Sequence, residues 1–312
     1  MNGTVNHSLA VNSRSIITVS LLSIAYLLLS AWVVGFKSDQ LVLVGIFNTC
    51  FYVSDLTRKF IIGFSVFIVY WILFDYMKAI PNYTFNNVHM ADLYNFEKKL
   101  FGINVNGQVL TPNEYLKINS KHVLDIIGGL FYLCWIPVPL GFAAYLFFTN
   151  RKEFLGFALT FFIVNLLGFV VYYAYPAAPP WYIHEHGFVF HATTKASTGG
   201  LAKFDQYFKV GIFKSIYTKG SNVFAAMPSL HSSYPIIVVY YGLKNRLGLV
   251  NIILATVMVG IWLTAVYTSH HYILDVLAGI TCATIGINVF NLLFTKVDML
   301  KSFLNRYALL IQ

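Results

Sequence analysis

The chain has 312 residues, of which 58% are hydrophobic and 11% charged, with a formal net charge of +9. Soluble domains carry about 25% charged residues, so this balance, with a mean hydropathy of +0.67, excludes an ordinary water-soluble enzyme and indicates a polytopic membrane protein. Nothing in it suggests an element that reads nucleic-acid grooves, and no nucleic-acid partner is expected.

In chain order, apolar runs suited to the about 20 helical residues that cross a bilayer core fall at 15–36, 60–77, 123–148, 154–175, 229–243, 247–267 and 272–295. The first is read as a retained span, because no positive region and small-residue cleavage site accompany it. A shorter run, 41–53, lies between Asp39 and Asp55; runs of about 10–14 residues are more often re-entrant or interfacial than spanning. Pro137 and Pro139 predict a kink in the third long run. The stretch Ala91 to Phe101 places apolar residues at 93, 96, 100 and 101, the pattern of a helix lying in the interface. Cys50, Cys134 and Cys282 all sit in apolar runs and read as small buried hydrophobes. The chain divides into residues 1–59, holding one or two N-terminal spans or a re-entrant segment, and a main membrane domain over 60–312.

Basic residues set the orientation. Arg58-Lys59, Arg151-Lys152, Lys244-Asn245-Arg246 and Lys296, Lys301 and Arg306 alternate with spans so that all fall on one side, which the positive-inside rule makes cytoplasmic. Arg14 joins them if 41–53 crosses the bilayer. The long connections 78–122 and 176–228 then lie on the outer face. They hold Lys78, Lys98, Lys99, Lys117, Lys121, Lys195, Lys203, Lys209, Lys214 and Lys219 against few acids, a surface that attracts anionic lipid headgroups.

Two short strings carry the chemistry. Pro228-Ser229-Leu230-His231 and Ser269-His270-His271-Tyr272-Ile273-Leu274-Asp275 flank two consecutive apolar helices, so one helix in and one helix back return His271 to the membrane face of His231. His271 and Asp275 are spaced i, i+4 and share a helix face. Asp275 can accept the Nδ1 proton of His271 and leave Nε2 free as a nucleophile. Pro228 suits a first helical turn, and Ser229 with the backbone N–H groups beside it forms an anion site that His231 can reach. His231 is then the general acid for a leaving alkoxide.

These strings resemble the second and third motifs of the type-2 phosphatidic acid phosphatase superfamily. The similarity is greater to its inositol phosphorylceramide synthase branch, through Ala178-Pro179-Pro180-Trp181-Tyr182, Gly200-Leu201-Ala202-Lys203-Phe204-Asp205, Phe224 to His231, and Asp275-Val276-Leu277-Ala278-Gly279. The resemblance implies an all-α transmembrane bundle with a six-helix core plus one or two N-terminal spans. It also implies a phosphohistidine-type intermediate on His271, oriented by Asp275, with His231 as acid and then base. Phosphatases of the superfamily carry a lysine and an arginine before a proline in their first motif, whereas here Tyr175-Pro176-Ala177-Ala178-Pro179-Pro180-Trp181 has no cation. A phosphodiester, with one negative charge, needs less positive charge than a dianionic monoester. The expected reaction is therefore transfer of phosphoinositol from phosphatidylinositol to ceramide or a related sphingoid lipid. A lipid phosphatase using water and a non-catalytic carrier on the same fold are the alternatives.

His270, Lys195 and Lys203 are candidates for the phosphate-binding cation. Asp75 and Lys78 could bind headgroup hydroxyls or form an interfacial i, i+3 ion pair. Trp181 could anchor its loop in the aromatic belt or stack on the sugar ring. His184-Glu185-His186 with His191 has the residue types of a zinc site but no helical frame, and is read as solvated side chains. No metal and no cofactor is expected. The expected location is a bacterial inner membrane, or a Golgi membrane in a eukaryote, with the site on the extracytoplasmic face.

Overall fold

The computed structural model describes residues 11–218, 220 and 222–312, so Lys219 of the basic outer surface lies outside the described residues. The fold is all-helical apart from one hairpin. In chain order it comprises α1 (Ser13–Val34), α2 (Ser38–Val53), α3 (Asp55–Tyr76), α4 (Ala91–Phe101), strands β1 (Ile103–Val105) and β2 (Gln108–Leu110), α5 (Pro112–Ile118), α6 (His122–Leu133), α7 (Pro137–Thr149) and α8 (Arg151–Ala174). There follow α9 (Pro180–His186), α10 (Ala202–Phe208), α11 (Ile212–Thr218), α12 (Leu230–Lys244), α13 (Val250–Tyr267), α14 (Ile273–Lys296) and α15 (Asp298–Leu310).

Among the described residues six segments are long and apolar enough to cross a membrane: Ser13–Val34, Asp55–Ala79, His122–Thr149, Arg151–Ala174, Val250–Tyr267 and Ile273–Phe294. The expected span 229–243 falls on α12, whose 15 residues reach about 22 Å and which is not among these six. The expected kink is a full break, since the chain leaves α6 at Leu133 and restarts α7 with Pro137 in its first turn. There the missing proline N–H costs no helical hydrogen bond.

The segment 41–53 lies within α2, which runs back between α1 and α3 rather than looping. Ser30 and Tyr76 meet at 2.8 Å where α1 and α3 end. Val19, Phe51 and Ile61 cluster at the other end, and Asn48 donates to Ser23 Oγ at 3.0 Å between the two. Capping boxes at Asn12–Ser15 and Ser54–Thr57 start α1 and α3, satisfying first-turn N–H groups. This path brings Arg14 to the same end of the bundle as Arg58, Arg151, Arg246 and Arg306.

The core is dominated by α8, packed on α3, α7, α12 and α14 through Phe147, Phe154, Phe157, Phe161, Tyr234 and Tyr241. At the arginine end α15 closes the bundle: Arg151 donates to Ile311 O at 2.8 Å while its guanidinium lies 3.6 Å from the Phe147 ring centre. At the opposite end the two long connections fold over the bundle. Backbone bridges join His89, Ala177 and Ala225, and the buried Asn82 Nδ2 ties Tyr172 O (2.8 Å) to Phe224 O (2.9 Å). Close packing of α12 and α14 depends on Gly279, because a Cβ there would stand 2.3 Å from Ser229 O.

Candidate active site

His231 lies in the first turn of α12 and His271 two residues before α14, and the return through α13 brings their side chains together. His231 Nδ1 and His271 Nε2 are 3.3 Å apart. Burial lowers the His271 imidazole to about 4, so at neutral pH the ring is uncharged and one of its nitrogens carries a lone pair. Its Nδ1 stands 3.5 Å from Asp275 Oδ2, beyond ordinary hydrogen-bond length, and that oxygen accepts the Tyr272 N–H at 2.8 Å. The expected alignment of His271 on Asp275 is therefore present as a close contact between fully buried groups. Such contacts commonly shorten only when substrate binds.

The proline and serine take other places than expected. Pro228 precedes the helix, and Ser229 is the N-cap of α12, its Oγ accepting the Ser232 N–H at 3.4 Å and the Ser232 hydroxyl at 2.9 Å. The Ser229 N–H donates to Asp275 O at 2.9 Å. Ser229 is buried, with its N–H joining α12 to α14 and its Oγ capping the first turn of α12, so it serves the frame of the site.

Several contributors were not evident in the sequence. Tyr132, at the end of α6 and fully buried, places its hydroxyl 3.2 Å from His231 Nδ1, and Trp135 packs edge-on against the same imidazole at 4.3 Å. Asn113 Nδ2, from α5, donates to Val266 O at 2.7 Å and His271 O at 2.9 Å, fixing the turn that carries the nucleophile candidate. Glu97, from α4, accepts the N–H groups of Ile273 (2.9 Å) and Leu274 (3.1 Å). Two of the helices that carry them had local signals, α4 in the apolar pattern of 91–101 and α5 in the Thr111–Glu114 capping box that opens it. The others act across sequence separations that no periodicity reports.

The remaining candidates disperse. His270 is buried, shares a hydrogen bond with Thr268 Oγ1 at 2.9 Å and packs against Tyr217 and Tyr132. Burial, reinforced by His271 and His231, holds it well below 6.5, so it is a neutral imidazole and not the expected phosphate-binding cation. Lys203 donates to Ser120 Oγ at 2.6 Å and borders a polar cavity of about 240 Å³ with Trp181, His184, Asp125 and Lys117. Ser269, two residues before His271, and Gly199, which lies against the His270 ring, form another wall of this cavity. Trp181 is buried in that wall, its N–H group donating to Ser269 O at 2.8 Å. Lys195 is exposed on its loop, and Asp75 and Lys78 form the i, i+3 ion pair at 2.6 Å. His186 packs on Tyr182 and His191, while Glu185 accepts from Ser197 at 3.0 Å. Among the described residues no group of three metal-ligating side chains converges.

Two imidazoles meeting nitrogen to nitrogen at the end of a lipid-embedded bundle suit displacement at phosphorus, one ring attacking while the other carries the proton. Fold and site together define a membrane-embedded enzyme of lipid phosphoester chemistry. The model of the PAP2 superfamily matches residues 109–289, and the chain belongs to that superfamily. It is 41% identical, over 95% of its length and 98% of the relative's, to a phosphoinositol dihydroceramide synthase of Bacteroides thetaiotaomicron. An inositol phosphorylceramide synthase of Candida albicans is 30% identical over 81% of this chain and 52% of its own length. The inositol phosphorylceramide synthase catalytic subunit of Schizosaccharomyces pombe is 27% identical over 74% and 53% respectively. No solved structure matched the chain.

Proposed function

We propose that this protein transfers phosphoinositol from phosphatidylinositol to the primary hydroxyl of a ceramide or dihydroceramide, with the histidine pair as its catalytic centre. The 3.3 Å approach of His271 Nε2 to His231 Nδ1, across 40 residues of sequence, carries the mechanism. Identity to a phosphoinositol dihydroceramide synthase over nearly both full lengths supports the substrate class.

In the first half-reaction His271 Nε2 attacks phosphorus. A P–N bond forms, the bond from phosphorus to the diacylglycerol oxygen breaks, and that oxygen takes the proton held at His231 Nδ1. Asp275, behind His271, stabilises the positive charge that develops on its ring. In the second, His231 Nδ1 removes the acceptor's hydroxyl proton, the alkoxide attacks phosphorus, and the P–N bond breaks to release His271. The Tyr132 hydroxyl, 3.2 Å from the same nitrogen, steadies His231 in both directions. The absence of any lysine or arginine between Tyr175 and Trp181 fits a phosphodiester better than a dianionic monoester.

The arginines gather at the end of the bundle remote from the histidines, and the positive-inside rule assigns the reaction to the extracytoplasmic leaflet. The bacterial source of the 41% identical relative supports a bacterial inner membrane. Purified protein in vesicles of phosphatidylinositol and dihydroceramide should yield phosphoinositol dihydroceramide and diacylglycerol in equal amounts by mass spectrometry. Inositol phosphate or inorganic phosphate without the new sphingolipid would reject transfer in favour of hydrolysis.

A further inference from the structure

Glu97 has no side-chain exposure, although it sits on an amphipathic helix of the outer connection. A carboxylate is removed from water only where donors replace the water. Its donors are the backbone N–H groups of Ile273 and Leu274, two of the four that the first turn of any helix leaves without an internal acceptor. That first turn belongs to α14. It follows His271 by one residue and contains Asp275, and a third of its N-terminal donors, Tyr272 N–H, is taken by the Asp275 side chain. Four residues before Glu97 on the same face of α4, Leu93 is buried with Ala177, Ala226 and Tyr272, so the helix is packed against the turn as well as hydrogen-bonded to it. On the other side of α4, Phe96 and Leu100 are exposed.

We propose that Glu97 is a positioning residue for the phosphodiester transfer: through the Ile273 and Leu274 amides it fixes the start of α14 and thereby the approach of Asp275 and His271 to phosphorus. It touches no substrate. Its role is to hold the turn in one orientation from a helix 176 residues away in sequence. A displacement of about 1 Å at reacting groups costs on the order of 100-fold in rate, which is the scale of effect available to such a residue. The proposal rests on the transferase reading above for its kinetic arm only.

Burial raises the Glu97 carboxyl to about 7, against the two backbone donors, and the neighbouring Asp275 adds to the rise. The groups facing it are Asp275 and Tyr272 at the start of α14. Tyr94 and Lys98 lie on its own helix, with Lys98 over the Tyr94 ring, and Glu114 of α5 accepts the Tyr94 hydroxyl at 2.8 Å. The ionised carboxylate is the stronger acceptor for both amides, so turnover should fall as pH drops through about 7.

The test compares wild type, Glu97→Ala and Glu97→Gln as full-length protein in phosphatidylinositol and dihydroceramide vesicles, with amide hydrogen exchange on the same samples. Glu97→Ala should lower kcat by about 10- to 100-fold while KM for both lipids stays within about twofold. Glu97→Gln keeps one acceptor oxygen, should fall between the two, and should lose the pH inflection near 7. Exchange should accelerate in the peptide covering 272–276 and stay unchanged in α8 and α12. Wild-type kcat together with wild-type exchange in Glu97→Ala would overturn the proposal, as would a Glu97→Gln enzyme that keeps the inflection. If wild type itself makes no transfer product, the transferase reading fails, and the exchange arm still decides whether Glu97 holds the turn.

Discussion

In the proposed mechanism His271 offers one nitrogen to phosphorus and Asp275 stands behind the other, so the two should fail differently. His271→Ala is expected to abolish transfer in a folded protein, and retention of lipid conversion in that variant would sink the mechanism. Asp275→Asn should leave a slow enzyme, because shape survives while the charge facing the ring is lost. Tyr132→Phe removes a hydrogen bond to His231, a loss that corresponds to about 10-fold in kcat with KM little changed. The Glu97 carboxyl adds a pH signature in stability. Its pKa is raised on folding from 4.5 to about 7, so its contribution is complete below about 4.5 and disappears as pH rises through about 7. Thermal midpoints of wild type should therefore decline relative to Glu97→Gln across that window, in the direction opposite to turnover. His231, His271 and Asp275 were legible because two spans and one helical turn fix their meeting from spacing alone. Glu97 and Asn113 were not, since a buried side chain that serves a distant backbone leaves no local pattern.

At the scale of elements, the site is a junction of helix starts. Ser229 caps α12 and donates to Asp275 O, while Ser233 Oγ donates to Gly279 O at 2.8 Å, one turn further along α14. Gly279→Ala should force the two helices apart, since a Cβ there meets backbone at 2.3 Å. Overpacking of this kind costs about 1–3 kcal/mol. We expect a lowered thermal midpoint and turnover reduced beyond what that lowering explains, measured well below the midpoint. The apolar runs announced nearly every long helix, and the two prolines announced the break between α6 and α7. The start of α12 was placed too early because a proline ahead of an N-cap looks locally like a proline inside the first turn. The fate of 41–53 was open because hydropathy does not distinguish a short traverse from a re-entrant loop. The contacts of Asn48 with Ser23 and of Phe51 with Val19 show α2 packed along α1, and α2 is not among the helices long and apolar enough to cross a membrane.

For the whole molecule, charge and chemistry sit at opposite poles. All five arginines lie at one end and the histidine pair at the other. In a cysteine-free background, a single cysteine at Lys195 should react with a membrane-impermeant maleimide in intact cells. One at Arg246 should react only after permeabilisation, and the reverse pattern would invert the proposed orientation. The helix α15, held by Arg151 at Ile311 O and by its own Tyr307 at Ile62 O, closes the arginine pole.

The histidines stand at the lip of their spans, His231 in the first turn of α12 and His271 two residues ahead of α14. An enzyme built this way works in two dimensions. For the proposed transfer both lipids would reach it by sliding within a leaflet, so the concentrations it senses would be surface fractions rather than molarities. Diluting phosphatidylinositol with an inert phospholipid at constant bulk amount should slow it, whereas diluting the vesicles in buffer should not. A rate that followed bulk concentration instead would mean that substrate arrives through water.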